Sequence, residues 1–171
     1  MDVKICSTEE LLDILQNGYV DSYVISIRDT AGSSLYAEID KYVLNCINLF
    51  HLYFDDIWSP EHLFYNYHTL RYGQLLALLK WVSGKNSFII QCTSGLSRSA
   101  AIAYVIGCGR MKPEEAAKLL DLNKHHPNPF VVKLGAKVLN NPSIETYGYS
   151  NFTMLDTRDD PCKGMPEFVE S

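Results

Sequence analysis

Short apolar runs alternate along the chain with longer segments whose apolar residues recur at helical spacing. Three of the runs predict strands: residues 23–27, the second half of residues 42–54, and residues 87–91. They are rich in β-branched and aromatic residues, and acidic or glycine-containing turns bound them. Strands that alternate with helices are typical of βαβ units. The pattern therefore predicts an α/β fold, with a mostly parallel central sheet of four or five strands and helices on both faces.

Helix starts are marked by capping residues. Ser7 and Glu10 form a capping box in front of an apolar face, and Gly18 suits the end of that helix. Residues 59–61 (Ser-Pro-Glu) supply a cap, a proline in the first turn and an acid, which predicts one long helix that ends near Gly84. Three further helices are predicted over residues 99–106, 113–120 and 128–138.

The helical pattern stops near residue 140. Residues 141–171 contain six acids and two bases, a net charge of −4 out of −5 for the whole chain of 171 residues. This segment has turn residues and scattered aromatics but no clean period. We therefore expect one folded domain over residues 1–140 and an irregular acidic tail over residues 141–171.

Composition narrows the class of protein. Hydrophobic residues make up 47% of the chain, which excludes a disordered chain, and the net charge of −5 argues against nucleic acid as a partner. The five cysteines include no C-x-x-C pair, and the histidines show no metal-ligand spacing. No segment has the length and hydrophobicity of a signal peptide or membrane span. We expect a reduced, cytoplasmic protein with free thiols, no membrane partner, no metal and no cofactor.

The stretch between the last predicted strand and the following helix contains the most informative residues. It begins with Cys92 and ends with Arg98, and small, uncharged residues lie between them. In open α/β sheets, ligands bind beyond the carboxyl ends of the strands, where this loop would lie. Gly95 permits a positive φ, and the loop amides and the helix N-terminus can hold an anion. We call residues 92–98 the anion loop; its predicted phosphate-binding residues are Thr93, Ser94, Gly95, Leu96, Ser97 and Arg98.

The positive field of such a loop also favours a charged sulfur. A cysteine at a helix N-terminus beside a cation is a nucleophile at neutral pH, which predicts that Cys92 attacks a phosphorus atom held above it. This role requires that the sulfur be open to solvent next to the guanidinium of Arg98. The alternative is a tight strand-to-helix turn with a buried thiol and a surface arginine, and the bare spacing does not exclude it.

The anion loop resembles the signature loop of the cysteine-based protein tyrosine phosphatases, especially the dual-specificity branch. The matching residues are Cys92, Gly95, Arg98 and Ser99. The resemblance implies that Cys92 and Arg98 are catalytic. It also implies that the hydroxyl of Ser99 assists departure of the thiolate in the second step.

The resemblance extends to a group of small bacterial predicted tyrosine phosphatases. The segments that carry this resemblance are residues 24–27 followed by Asp29, residues 54–57, and residues 127–129. It implies that residues 1–140 form a phosphatase-like catalytic domain. These families usually have histidine where this chain has Gln91, a supporting position. Because glutamine can still donate and accept hydrogen bonds, we expect a less acidic thiol and not an inert one.

A phosphatase of this type also needs an acid that protonates the leaving oxygen. Asp55 and Asp56 follow a predicted strand, at the sheet edge that carries the anion loop. In the resembled family the acid stands two residues after the last core-facing strand residue, and the alternating pair Leu52 and Phe54 then selects Asp56. Asp55 remains the alternative. A third interpretation is that both acids only complement a helix N-terminus.

The sequence thus predicts a phosphomonoester hydrolase, a protein tyrosine phosphatase with dual specificity as the broader option, that forms a phosphocysteine intermediate. Its partner would be a phosphorylated protein or peptide, and the sequence leaves the oligomeric state open. The uncharged loop side chains disfavour phosphoinositides. Two alternatives remain: a phosphoresidue-binding pseudophosphatase with weak turnover, and rhodanese-like sulfur transfer.

Overall fold

The structure is a computed structural model that describes residues 1–17, 22–43, 48–58 and 67–152. In chain order the strands are β1 (Asp2–Cys6), β2 (Tyr23–Arg28), β3 (Leu49–Tyr53) and β4 (Ser87–Gln91). The helices are α1 (Thr8–Gln16), α2 (Ser34–Val43), α3 (Tyr72–Trp81), α4 (Arg98–Cys108), α5 (Pro113–Ala116), α6 (Pro129–Val138) and α7 (Ser143–Asn151). A 3₁₀ turn over Ala117–Leu119 continues α5.

The four described strands form one sheet in the order β1-β4-β2-β3, and every neighbouring pair is parallel. Gln91 on β4 lies opposite Cys6 on one side and opposite Ser26 on the other. Because parallel strands share one direction, all four carboxyl ends lie along one edge of the sheet. The predicted α/β fold with a parallel sheet is confirmed.

Helices cover both faces of this sheet. On one face, α1 and α2 pack over a small core that includes Leu11, Val24 and Ile39. On the other face, α3, α4 and α6 pack over the larger core, and every residue of α4 is buried. Cys92 belongs to the larger core. This arrangement places the start of α4 directly behind the carboxyl edge of the sheet.

Two elements within residues 1–140 have no counterpart in the sequence analysis. Strand β1 is short and lies at the sheet edge. Polar and apolar residues alternate along it, and this alternation was the signal that could have identified it. Helix α2 precedes the segment predicted as apolar strand. The capping box of Ser7 and Glu10 on α1 is present as predicted, whereas Gly18 lies outside the described residues.

Two predictions are wrong in part. The predicted long helix does not include residues 67–71, which are not helical, and α3 begins only at Tyr72. The predicted start at residues 59–61 lies outside the described residues. The tail is not irregular over its first part, because α7 is helical and packs on α6. Ile144 is buried there, and its carbonyl accepts a 3.1 Å hydrogen bond from the hydroxyl of Tyr104. Residues 153–171 lie outside the described residues, and the domain boundary near residue 140 stays a prediction.

None of the helices in the described ranges combines the length and the hydrophobicity that a membrane crossing requires.

Candidate active site

The anion loop connects β4 to α4 and rests on the junction between β1 and α1. The amide of Cys92 donates to the carbonyl of Cys6 at 3.4 Å, and the amide of Thr8 donates to the carbonyl of Thr93 at 3.2 Å. Gly95 has a φ of +71°, and a Cβ at this position would lie 2.6 Å from the carbonyl carbon of Cys6 and from the nitrogen of Ser7. The loop therefore requires glycine for its backbone angle and for its contact with β1.

The backbone N–H groups of residues 93–97 donate to no acceptor within the described part of the chain. Buried or half-buried amides without a partner are costly unless water or a ligand satisfies them. Five consecutive amides at the N-terminus of α4 thus have no partner among the described residues, and the predicted role of Thr93, Ser94, Gly95, Leu96 and Ser97 in phosphate binding stays a prediction.

The guanidinium of Arg98 is buried and held from one side. Its Nη1 donates to Oδ1 of Asp29 at 2.7 Å and to the carbonyl of Phe54 at 2.8 Å. Nη2 donates to Oγ1 of Thr93 at 2.9 Å, whereas Nε has no hydrogen-bond partner among the described residues. Burial alone would lower the pKa of Arg98, but the nearby negative charges, with Asp29 first among them, together outweigh burial and the pKa lies above its ordinary value. The group is therefore cationic and fixed, with its Nε side left for a ligand.

Asp29, at the end of β2, holds both ends of the anion loop. Its Oδ2 accepts hydrogen bonds from Oγ1 of Thr93 at 2.7 Å and from the hydroxyl of Tyr36 at 3.0 Å. Burial raises the pKa of Asp29, but the bond from Thr93 and the charge of Arg98 more than compensate, so the pKa lies below its ordinary range. The sequence analysis noted Asp29 only within a resemblance; its place directly after a buried strand was the available signal.

Cys92 is fully buried, and its Sγ lies 3.1 Å from Oγ of Ser99. The expectation that the sulfur is open to solvent is wrong for this conformation. The sequence could not indicate this, because burial of a loop residue depends on tertiary packing.

Asp55 and Asp56 have different environments. Asp55 is buried, and its carboxylate accepts hydrogen bonds from the amide of Thr30 at 2.9 Å, from the hydroxyl of Thr30 at 2.7 Å and from the amide of His68 at 2.8 Å. Burial raises the pKa of Asp55, but these hydrogen bonds outweigh it and leave the pKa below its ordinary range. Asp55 thus connects the segment after β2, through Thr30, with the segment before α3, through His68. Because these bonds occupy its carboxylate, Asp55 is poorly suited to proton transfer.

Asp56 is the acid that lies beside the anion loop. Its Oδ1 accepts hydrogen bonds from Oγ of Ser97 at 2.7 Å and from Nδ2 of Asn128 at 2.8 Å. Its Oδ2 lies 3.9 Å from Nε of Arg98. The structure brings Cys92, Arg98 and Asp56 together at one edge of the sheet, whereas the sequence did not identify Asn128 as a partner of the acid.

Gln91 supports the loop from the opposite face of the sheet. It is fully buried; its Oε1 accepts from Oγ of Ser26 at 2.8 Å, and its Nε2 donates to Oγ1 of Thr8 at 2.8 Å. The hydroxyl of Thr8 in turn lies 3.5 Å from the carbonyl of Cys92. Gln91 therefore acts on the backbone beneath the loop, through Thr8.

Comparison with known proteins rests on structure. No protein-family profile matches the chain, and no curated protein matches it in sequence. PTPMT1 in complex with PI(5)P matches with 13% identity over 85% of this chain and 94% of that chain, at a TM-score of 0.50. PTPMT1 alone matches with 13% identity over 88% of this chain and 96% of that chain, at a TM-score of 0.48. Tk-PTP in the active form matches with 19% identity over 85% of this chain and 92% of that chain, at a TM-score of 0.46.

The chain thus has the fold of the protein tyrosine phosphatase-like proteins, with a four-stranded parallel sheet between two layers of helices. The narrower placement in the dual-specificity branch, near small bacterial members, stays a prediction. Within the described ranges, no three His, Cys, Asp or Glu side chains cluster as ligands of a metal ion would.

Proposed function

We propose that this chain is a phosphomonoester hydrolase of the protein tyrosine phosphatase type. Its substrates would be phosphotyrosine residues of cytoplasmic proteins or peptides, with phosphoserine and phosphothreonine as further substrates. The observation that carries the proposal is the arrangement of donors around Cys92. The five loop amides that follow Cys92 and the Nε of Arg98 have no hydrogen-bond partner among the described residues, and the tetrahedral dianion of a phosphomonoester matches such a set of donors.

In the first step, the sulfur of Cys92 attacks phosphorus. The S–P bond forms while the bond from phosphorus to the ester oxygen breaks, and Asp56 gives its proton to that departing oxygen. The products are a free alcohol or phenol and a phosphocysteine. Asp56 suits this role because it lies beside Arg98 and one of its oxygens accepts no hydrogen bond from the described residues, whereas both oxygens of Asp55 accept hydrogen bonds.

In the second step, water attacks the phosphocysteine. Asp56 takes a proton from the water, the S–P bond breaks, and inorganic phosphate leaves. The hydroxyl of Ser99, 3.1 Å from the sulfur, stabilises the departing thiolate by donating to it. Arg98 and the loop amides hold the three equatorial oxygens throughout, so most of the rate enhancement comes from positioning and charge stabilisation.

The burial of Cys92 adds a conformational step. Because the sulfur is buried in this conformation, its attack on phosphorus requires a local opening of the site, which the new hydrogen bonds between phosphate and the loop would drive. The same burial favours a second candidate function, a module that binds phosphorylated residues and turns them over weakly.

Hydrolysis of p-nitrophenyl phosphate under reducing conditions tests the proposal. Activity in the unchanged chain that is lost in Cys92→Ser and retained in Cys108→Ser supports it, because Cys108 is a second buried thiol outside the anion loop. Acid-quenched reactions should also contain phosphate bound to Cys92. Binding of phosphopeptides without Cys92-dependent hydrolysis would favour the binding module, and transfer of sulfur from thiosulfate to cyanide would indicate the rhodanese-like alternative.

A further inference from the structure

Asn128 connects three parts of the site. It is buried, and both hydrogens of its side-chain amide are used: Nδ2 donates to Oδ1 of Asp56 at 2.8 Å and to the carbonyl of Ile57 at 2.8 Å. Its own Oδ1 accepts from the amide of Val131 and thereby caps α6. Its backbone amide donates to the carbonyl of Ser97 at 3.4 Å. The orientation of the Asn128 amide is therefore fixed by the start of α6.

The two oxygens of Asp56 are not equivalent. Oδ1 accepts two hydrogen bonds, from Oγ of Ser97 at 2.7 Å and from Nδ2 of Asn128. When a carboxyl group is protonated, an oxygen that already accepts two hydrogen bonds stays the carbonyl oxygen. A proton placed on that oxygen would have to replace one of the two bonds. Oδ2 accepts no hydrogen bond from the described residues, and it lies 3.9 Å from Nε of Arg98. The proton of the acid therefore belongs on Oδ2.

We propose that Asn128 is a positioning residue for Asp56. With Ser97 it holds Oδ1, so that Oδ2 carries the catalytic proton and faces the leaving oxygen of a substrate bound in the anion loop. The inference rests on the proposed function and assigns a role to the Pro-Asn-Pro motif at residues 127–129. Pro129 begins α6, and Asn128 transmits the position of that helix to the acid.

The experiment compares two substrates that differ in their need for an acid. Phenyl phosphate has a poor leaving group, and dinitrophenyl phosphate has a good one that departs without protonation. Asn128→Ser retains a helix cap but is too short to reach Asp56. We expect its kcat/KM on phenyl phosphate to fall by about tenfold or more, while kcat/KM on dinitrophenyl phosphate falls by less than about threefold. The ratio kcat/KM reports the steps up to formation of the phosphocysteine, so it excludes the later step in which Asp56 takes a proton from water.

A double mutant separates positioning from a structural role. In the Asp56→Asn background, which has no acid to position, adding Asn128→Ser should cause no further loss on either substrate. Equal losses on both substrates, or an added loss in that background, would overturn the inference. If Asn128→Ser does not fold, Ser97→Ala removes the other side-chain donor to Oδ1. The ratio of its kcat/KM on phenyl phosphate to its kcat/KM on dinitrophenyl phosphate should then be lower than in the unchanged chain.

The outcomes also separate this inference from the proposed function. If the unchanged chain shows no Cys92-dependent hydrolysis of dinitrophenyl phosphate, the proposed function is wrong, and the role of Asn128 fails with it. If hydrolysis is present but Asn128→Ser leaves the preference between the two substrates unchanged, only the role of Asn128 is wrong.

Discussion

Asp29 and Arg98 form an ion pair in which Oδ1 of the carboxylate lies 2.7 Å from Nη1 of the guanidinium. The pair joins the end of β2 to the start of α4, and Arg98 is almost completely buried. Because Asp29 occupies Nη1, the Nε side of the guanidinium is the side that remains for a phosphate. Asp29 thus orients the cation and also offsets part of its charge.

Replacement of Asp29 should impair catalysis through the orientation of Arg98. We expect Asp29→Asn to lower kcat by about tenfold, because a neutral amide holds the guanidinium less firmly. Glu38→Gln is the matched control, since it removes one negative charge from α2, where Glu38 pairs with Lys41 at the surface. The measurement is steady-state hydrolysis of p-nitrophenyl phosphate. An unchanged kcat in Asp29→Asn would contradict the orienting role.

Replacement of Gly95 should disrupt the loop. A Cβ in Gly95→Ala would lie 2.6 Å from backbone atoms of Cys6 and Ser7, which cannot move without distorting β1 and α1. We expect a loss of about 2 kcal/mol or more in the free energy of unfolding, together with loss of phosphate binding.

Gly84→Ala provides the control for the backbone angle. Gly84 has a similar φ of +77°, but nothing lies within 4 Å of an added Cβ. The Gly84→Ala substitution should lower the free energy of unfolding by only about 1 kcal/mol and leave phosphate binding intact. Urea unfolding and the increase in Tm on addition of phosphate report both quantities. Equal effects of the two substitutions would show that the contact with β1 is unimportant.

Replacement of Gln91 should weaken the support beneath the loop. In Gln91→Met the hydroxyls of Ser26 and Thr8 lose their buried partner, which should cost about 1–3 kcal/mol of folding free energy. Ser26→Ala removes only one of the two bonds and should cost less. Gln91→His should not raise activity, because the network requires an acceptor toward Ser26 and a donor toward Thr8 at the span of an amide. A more active Gln91→His variant would refute this account.

Stability should depend on pH through Asp55. The pKa of Asp55 is lower in the folded chain than its ordinary value of 3.8. Its contribution to stability is therefore fully present above that value, and it is lost as the pH falls below 3.8 through the folded pKa. Asp55→Asn should be less stable at neutral pH and should lose less further stability on acidification. Asp2 is an exposed acid on β1, and Asp2→Asn is the control. Its free energy of unfolding, measured in urea at a series of pH values, should change with pH as that of the unchanged chain does.

The described thiols should differ in reactivity. Burial raises the pKa of Cys6 and of Cys108 to about 12, so both are protonated and inert at neutral pH. Cys92 is reached only when the loop opens, and inorganic phosphate should protect it. Mass spectrometry after treatment with iodoacetamide measures each site. Modification of Cys6 or Cys108 ahead of Cys92 would contradict the prediction.

The sequence predicted the parts of the site that are local. A strand, a loop from Cys92 to Arg98 and an apolar helix follow one another within a single stretch, so residue spacing was sufficient to identify them. The three predicted strands and the helices at 98–108 and 129–138 are present for the same reason, because the apolar periodicity of each is a property of its own segment.

The remaining parts depend on contacts between distant segments. Asp29 meets Arg98 across 69 positions, and Asn128 meets Asp56 across 72. The place of Asp29 after a buried strand is a local signal, but it does not identify Arg98 as the partner, and nothing in the local pattern of Asn128 points to Asp56. The burial of Cys92 and the late start of α3 at Tyr72 also depend on tertiary packing.

Each strand of the parallel sheet contributes a different part of one binding centre. The end of β1 forms the floor under Gly95, β2 provides Asp29, β3 leads to Asp56, and β4 leads to Cys92. A chain in which any one of these strands is unpaired lacks part of the centre. We therefore expect phosphate affinity to be lost in the same transition as the cooperative unfolding of the sheet.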